Sequence, residues 1–598
     1  MGLATVSDRI EALRGEMRKR GIDIYIVPTS DFHESEYVGD YFKARSFLTG
    51  FTGSAGTAVV TQEEAGLWTD GRYFIQARKE LAGSPVVLYR MGEEGVPEVK
   101  EYVREKLREG GCLGFDGRAV NARAGEAYAQ IAAGKQGSVA ADEDLAGMIW
   151  EDRPPFPKHP AFLLEEKYAG EGTASKLRKV REKMKEKQAD VHILTSLYDI
   201  AWLFNIRGGD IAHVPVAMSF AAVTQEASVW FVHPQALTPE IIGYCAENGI
   251  ETRGYEEIYE YARGIPAGSR VMLDKATVNF RICSSLRADV VQEFNPTELL
   301  KAVKNDTEIA NIRNAHVKDG VAFTKFMYWL KTHIGTEKIT EISAAEYLRE
   351  RRQEQELFMD LSFDTISAYG ANAAMMHYSA TKETDALLRP QGFLLVDSGG
   401  HYLDGSTDIT RTLALGPLSQ EQKRHFTLVC RGNLNLASAK FLHGCRGTNL
   451  DILARGPLWS LGIDYRCGTG HGVGYFLNVH EGPNAFRWRH LSAENSDCVL
   501  EEGMVTTDEP GIYLEGKYGI RTENELLCRK AEKNEYGQFM EFEIITYAPI
   551  DLDAILPHEM TPSERRLLNE YHKMVYGKLS PFLDAGEREW LKEYTREI

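Results

Sequence analysis

Two stretches of this chain repeat one another in outline, and the repeat restricts the folds open to it. The first opens with Asp8-Arg-Ile-Glu-Ala-Leu-Arg14, passes through Gly21-Ile-Asp-Ile-Tyr-Ile-Val27 and reaches Val59-Val-Thr-Gln62. The second opens with Lys176-Leu-Arg-Lys-Val-Arg181, passes through Ala189-Asp-Val-His-Ile-Leu194 and reaches Ala222-Val-Thr-Gln225. Each starts with apolar residues three or four apart, as on an amphipathic helix, and continues with a short apolar strand after Asp23 or Asp190 and then a further strand. Two α/β domains of related design are expected. Pro154, Pro155, Pro157 and Pro160 crowd the run between them, where neither a helix nor a central strand can continue. Lys304-Asn-Asp-Thr-Glu-Ile-Ala-Asn-Ile-Arg313 reads as a helix start, with Asp306 or Thr307 as N-cap and Ile309, Ile312 and Val317 on one face. The expected division is 1–157 and 158–300, both α/β, followed by a third domain over 301–598 that holds all the candidate chemistry.

Composition excludes several classes of function. A chain of 598 residues exceeds what one core can organise. Its formal net charge of -18 opposes binding to nucleic acid, which needs a basic surface. No stretch approaches the length of an apolar membrane span. The N-terminal run Met1–Met17 is interrupted by Asp8, Glu11 and Glu16, unlike a secretory signal. The eight cysteines are scattered without a CxxC pair, which argues against a disulfide framework or a structural zinc site and for reduced thiols in a cytoplasm.

Four units in the third domain carry the chemistry. Gly392-Phe-Leu-Leu-Val-Asp397 is an apolar strand ending in a carboxylate, and Thr407-Asp-Ile-Thr-Arg-Thr-Leu-Ala414 is a second strand. Read as a hairpin turning around Leu403-Asp-Gly405, they bring Asp397 and Asp408 face to face. Opposed carboxylates in a sheet repel, and a cation between them relieves the repulsion. In Gly468-Thr-Gly-His471-Gly-Val-Gly474 the glycines allow close backbone approach and leave the imidazole room to reach a ligand. No Lys-Ser/Thr follows, so a phosphate loop is a poor reading. Asn478-Val-His480-Glu-Gly-Pro483 adds a second histidine nearby. Gly503-Met-Val-Thr-Thr-Asp-Glu509-Pro-Gly511 and Gly519-Ile-Arg-Thr-Glu523-Asn-Glu-Leu-Leu527 both read as strands, the latter with Arg521, Glu523 and Glu525 on one face. Either that row is a solvated edge, or something compensates its charge. Asp397, Asp408, Glu509 and Glu523 bring four negative charges, which two divalent cations neutralise, and His471 adds one nitrogen. Such a set suits a two-metal hydrolytic site with a bridging hydroxide as nucleophile. Oxygen-rich and free of thiolate, it favours Mn²⁺, with Mg²⁺ and Co²⁺ as the other choices.

Taken in order, Asp-Ser-Gly, Thr-Asp-Ile-Thr-Arg-Thr, Gly-Thr-Gly-His-Gly-Val-Gly, Asp-Glu-Pro-Gly and Gly-Ile-Arg-Thr-Glu-Asn resemble the motifs of the pita-bread metallopeptidases. Phe476-Leu-Asn-Val-His-Glu-Gly-Pro483 and Ala373-Ala-Met-Met-His377-Tyr378 are similar to the aminopeptidase P branch, in its large three-domain form. Gly71-Arg-Tyr-Phe74 and Asn205-Ile-Arg-Gly208 extend the resemblance towards the N-terminus, and it is strongest from about 360 to 528. Cys467 departs from it, since several relatives carry histidine there.

The resemblance implies two related α/β domains before a pita-bread α+β catalytic domain, and cleavage of the bond in front of a proline in second position. It implies that Asp397 holds one metal and that His471 and Glu509 hold the other. Asp408 and Glu523 would bridge, and Glu509 would also serve as general base. His377 and His480 would contact the scissile carbonyl and the prolyl residue, and Arg521 would orient a bridging carboxylate beside the substrate. A homodimer is implied as well. Because the prolyl nitrogen carries no hydrogen, a pocket shaped for its ring would reject most other residues. Three other readings stand beside this one: a prolidase confined to Xaa-Pro dipeptides, a creatinase-like enzyme working without metal, and a pita-bread protein that binds partners without catalysis.

Overall fold

The structure, a computed structural model, describes residues 5–489 and 497–598. The chain divides into two compact units, one of residues 1–164 with 171–297, the other of 165–170 with 298–598.

The first unit contains two six-stranded sheets. In one, the spatial order is Val86–Arg90, Ala65–Thr69, Thr57–Thr61, Ile24–Pro28, Cys112–Phe115 and Ser138–Ala140. In the other it is Ile250–Gly254, Ser228–Val232, Ser219–Thr224, Val191–Leu194, Arg270–Leu273 and Asp289–Gln292. Strand directions agree as well as order. The strand after Asp23 or Asp190 pairs antiparallel to the next on one side and parallel to its neighbour on the other. The helices Val6–Arg20 and Thr173–Glu186 precede the two equivalent strands and bury Ile10, Leu13 and Met17 in one case, Leu177, Val180 and Met184 in the other. The repeat read from the sequence is thus a repeat of topology. Within this unit an isolated bridge joins Asn121 to Asn279, and His33 Nε2 lies 2.6 Å from the Tyr255 hydroxyl.

The second unit is built around antiparallel sheets. A three-stranded sheet sets Phe393–Ser398 between Ile366–Tyr369 and Ile409–Ala414. A six-stranded sheet runs Lys440–Leu442, Gly537–Ile544, Asn524–Asn534, Val505–Asp508, Gly470–Gly472, Glu481–Phe486. The helix Asp306–His333 lays Phe323, Phe326, Met327 and Leu330 against Leu394, Val396, Ile409 and Leu413. Each such side chain contributes about 1.5–3 kcal/mol when withdrawn from water. Strand alternation sends Leu395 to the opposite face, into a smaller cluster with Ile366 and Ala368. That helix starts one residue earlier than its sequence suggests. Asn305 is the N-cap, its side chain accepting the N–H groups of Thr307 and Glu308 at 3.0 Å each, with Glu308 closing a capping box. Among the described residues no helix is long and apolar enough to cross a membrane.

Candidate metal centre

Two expectations about local structure need correction. Asp397 does not face Asp408 across a hairpin ladder; its partner there is Thr410. Between the two strands the chain leaves the sheet, and Gly400–Tyr402 and Gly405–Ser406 join Phe358–Leu361 in a separate sheet. Asp408 falls just before the Ile409–Ala414 strand, with its N–H given to Glu525 Oε1 at 2.7 Å in place of a ladder partner. The run from Gly519 to Leu527 is likewise two strands. Tyr518–Arg521 belongs to a two-stranded ribbon and Asn524–Asn534 to the six-stranded sheet. Thr522 and Glu523 form the corner, with Glu523 N–H donated to Thr410 O at 3.1 Å. Glu523 and Glu525 are both buried, so the row is no solvated edge.

These irregularities let the two sheets contribute to one cluster. Three sets of donor atoms each lie within 4.8 Å of one another: Asp397, Asp408 and Glu523; His471, Glu509 and Glu523; Asp408, His471 and His480. Asp408, His471 and Glu523 each belong to two sets. His471 sits at a bulge between Gly470 and Gly472. A Cβ on Gly470 would collide with Thr507 O and one on Gly472 with Glu481 O, so only glycine lets the backbone in this close. The His471 N–H is held by Thr507 Oγ1 at 3.0 Å. Its Nδ1 lies 3.0 Å from Gly472 O, which turns Nε2 to the carboxylates, 3.5 Å from Asp408 and 3.4 Å from Glu509. Glu509 takes a bond from Thr507 Oγ1 at 3.2 Å and its own N–H goes to Thr469 O at 2.7 Å.

Burial and mutual repulsion act on the carboxylates of the cluster. Burial pushes the Asp408 carboxyl well above the usual range, helped by the charges of Asp397, Glu509 and Glu525. Burial does the same to Glu523, helped by Asp408, Glu509 and Asp397. Asp397 Oδ1 and Asp408 Oδ1 are buried without a hydrogen-bond partner. Orphaned carboxylate oxygens converging with one or two imidazoles, and no thiol among them, fit hard divalent cations.

Two buried arginines frame the cluster. Arg521 contacts Asp397 Oδ2 and gives its remaining donors to Tyr513 OH at 2.7 Å, Thr410 Oγ1 at 3.2 Å and Met376 O at 3.4 Å. Thr410 Oγ1 in turn donates to Glu523 Oε2 at 2.7 Å, so Arg521 reaches Asp397 directly and Glu523 through one hydroxyl. His377 is the residue after Met376, half-buried, on a segment tied by Tyr378 OH to Glu341 at 2.9 Å. The half-buried His480 packs edge-on to His471, ring centroids 4.2 Å apart. Arg411 gathers backbone from distant segments. It donates to Glu523 O at 2.5 Å, Ala548 O at 2.9 Å, Pro549 O at 3.2 Å and Tyr571 OH at 2.7 Å.

Sequence reasoning passed over Thr410, Thr507, Tyr513 and Asp508. Asp508 is fully buried beside Glu509, with neither carboxylate oxygen hydrogen-bonded, and burial raises its carboxyl well above the usual range. No spacing rule distinguishes such supporting residues from ordinary strand positions.

Known proteins supply the comparison. Creatinase/Prolidase N-terminal domain models match residues 9–153 and 152–308, metallopeptidase family M24 matches 310–530, and the C-terminal region of peptidase M24 matches 538–598. A probable Xaa-Pro aminopeptidase P of Sordaria macrospora is 38% identical, covering 98% of this chain and 99% of its own. Aminopeptidase P1 of Arabidopsis thaliana is 36% identical over 99% of both. The crystal structure of X-prolyl aminopeptidase from Caenorhabditis elegans, described as a cytosolic enzyme with a di-nuclear active site, superposes with a TM-score of 0.95 at 33% identity over 100% of both chains. The fold is that of a metallopeptidase in which a pita-bread catalytic domain follows two creatinase-type domains along the chain. The chain belongs to the Xaa-Pro aminopeptidase P family of M24 metallopeptidases.

Proposed function

We propose that this protein is a metal-dependent aminopeptidase that releases the N-terminal residue from peptides with proline in second position. The convergence of Asp397, Asp408, His471, Glu509 and Glu523 from two sheets into one buried cluster carries the reading. Two divalent cations, which we take to be Mn²⁺, would supply Lewis acidity and lower the pKa of the attacking water. Asp397 would hold one cation, and His471 and Glu509 the other. Asp408 and Glu523, the two carboxylates among the three residues shared between donor sets, would bridge. Glu509, half-buried at the rim, would take the proton of the attacking water and pass it to the departing prolyl nitrogen. His377 and His480 would hold the scissile carbonyl and the prolyl residue. Arg521 would orient Asp397 and, through Thr410, Glu523.

A chelator should abolish activity, and Mn²⁺ should restore it, with up to two ions per chain by elemental analysis. Full activity in metal-free protein would refute the two-metal reading. Substrate length tests the branch. Xaa-Pro-Yaa tripeptides and longer Xaa-Pro peptides should be cleaved at least as fast as the Xaa-Pro dipeptide. Turnover of the dipeptide alone would make the chain a prolidase.

The division into domains of 1–157, 158–300 and 301–598 belongs to this proposal, as do a cytoplasmic location and a homodimer. The relative described as cytosolic supports the location.

A further inference from the structure

The helix Asp306–His333 carries two titratable residues on its inner face, His316 and Asp319, neither with any side-chain exposure. His316 Nε2 lies 3.1 Å from Glu525 Oε2. The other oxygen of Glu525 accepts the Asp408 N–H, and the Glu525 N–H is fixed on Thr546 Oγ1 at 2.8 Å. Glu525 is absent from every donor set of the cluster and meets Asp408 through the backbone N–H. Asp319 is held by Arg352 through two bonds of 2.7 and 2.9 Å, and Arg352 also donates to the carbonyl of Ser398, the residue after Asp397, at 3.2 Å.

A buried contact between an imidazole and a carboxylate is a poor device for stability alone, because its desolvation cost commonly matches its attraction, and an apolar pair of similar volume serves as well. Fixing a geometry is a better use for it. Asp408 needs such fixing, because it lies outside the ladder that secures Asp397 and no strand partner takes its N–H. We propose that Glu525 is a positioning residue for Asp408. It supplies the acceptor that the missing ladder partner would have given, and the buried His316 ring, 3.1 Å from its other oxygen, limits where its carboxylate can turn. The pair thereby holds Asp408 in the orientation that binds metal. This inference rests on the metal-centre reading above.

The test uses the full-length protein stripped of metal and titrated calorimetrically with Mn²⁺, alongside thermal melting of the metal-free protein. The principal variant is the double Glu525→Leu/His316→Leu, which removes both buried polar side chains together so that neither is left facing an apolar replacement. It should bind Mn²⁺ about 10- to 100-fold more weakly than wild type, the usual cost of losing an outer partner of a metal ligand. Glu525→Gln keeps an acceptor for the Asp408 N–H and should recover most of that loss. A lowered melting temperature with wild-type Mn²⁺ affinity in the double variant would overturn the proposal and leave the pair a packing feature. If the double variant does not fold, Glu525→Gln is compared with Glu525→Leu, and equal affinities would overturn it too. Wild-type protein that takes up no Mn²⁺ would instead refute the metal centre, and the positioning role with it.

Discussion

Glu523→Gln should leave the protein folded, without metal and without activity. Glu523, like Asp408, is shared by the Asp397 side and the His471 side of the cluster, and its carboxylate is buried and held by Thr410 Oγ1 at 2.7 Å. Glutamine has the same shape and preserves both the Thr410 contact and the backbone corner. It removes one of four negative charges, so three carboxylates face two divalent cations. In the metal-free protein the substitution should do no harm. Burial and neighbouring carboxylates already press Glu523 towards its neutral form, which the amide resembles. Elemental analysis should therefore find the metal lost, tripeptide turnover should disappear, and the metal-free variant should melt no lower than metal-free wild type. If the variant keeps two metals and a normal rate, the corner at Thr522–Glu523 is a structural bend only.

His480→Ala should separate helpers from ligands. The reading above makes His471 a ligand and His480 a group that touches substrate, yet the rings are 4.2 Å apart and both share a donor set with Asp408. Their local settings differ. His471 has its N–H on Thr507, its Nδ1 beside Gly472 O and its Nε2 facing two carboxylates. His480 sits at the end of a loop whose Phe476 adopts a left-handed conformation, φ 45°, with its N–H on Ser406 Oγ at 3.0 Å. Strain of that kind in a bulky residue persists where the surroundings impose it, often beside a substrate. The alanine variant should retain both metals and lose roughly 10²–10³-fold in rate, as for a transition-state hydrogen-bond donor. Loss of metal as complete as in Glu523→Gln would reassign His480 as a ligand.

The halves of the fold differed in how openly the sequence announced them. Helix and strand periods around Asp23 and Asp190 exposed the paired α/β sheets, because each strand is short, apolar and next to a turn. The catalytic unit announced its chemistry through glycines and carboxylates, and Asp397, Asp408, His471, Glu509 and Glu523 do meet. Their route to one another was hidden. Alternation within a strand cannot reveal the excursion between Asp397 and Asp408, nor that the chain changes sheets between Arg521 and Asn524. Both irregularities depend on bonds to residues far away in sequence, Asp408 to Glu525 and Glu523 to Thr410. His316 left no local signal at all, since a single histidine on a helix reads the same whether it packs in a core or steadies a carboxylate.

The contacts of Arg411 set a timetable for synthesis. Its guanidinium binds Glu523 O together with Ala548 O, Pro549 O and the Tyr571 hydroxyl, groups made well after the Asp397 strand. At a ribosomal pace of about 5–20 residues per second, the paired α/β sheets have time to fold before these segments exist. The Asp397 strand must then wait for Glu523 to close the cluster and for Tyr571 to complete the shell behind it. A chain that stops short of Tyr571 lacks part of the shell behind the cluster, so the complete site forms only after that residue has been made.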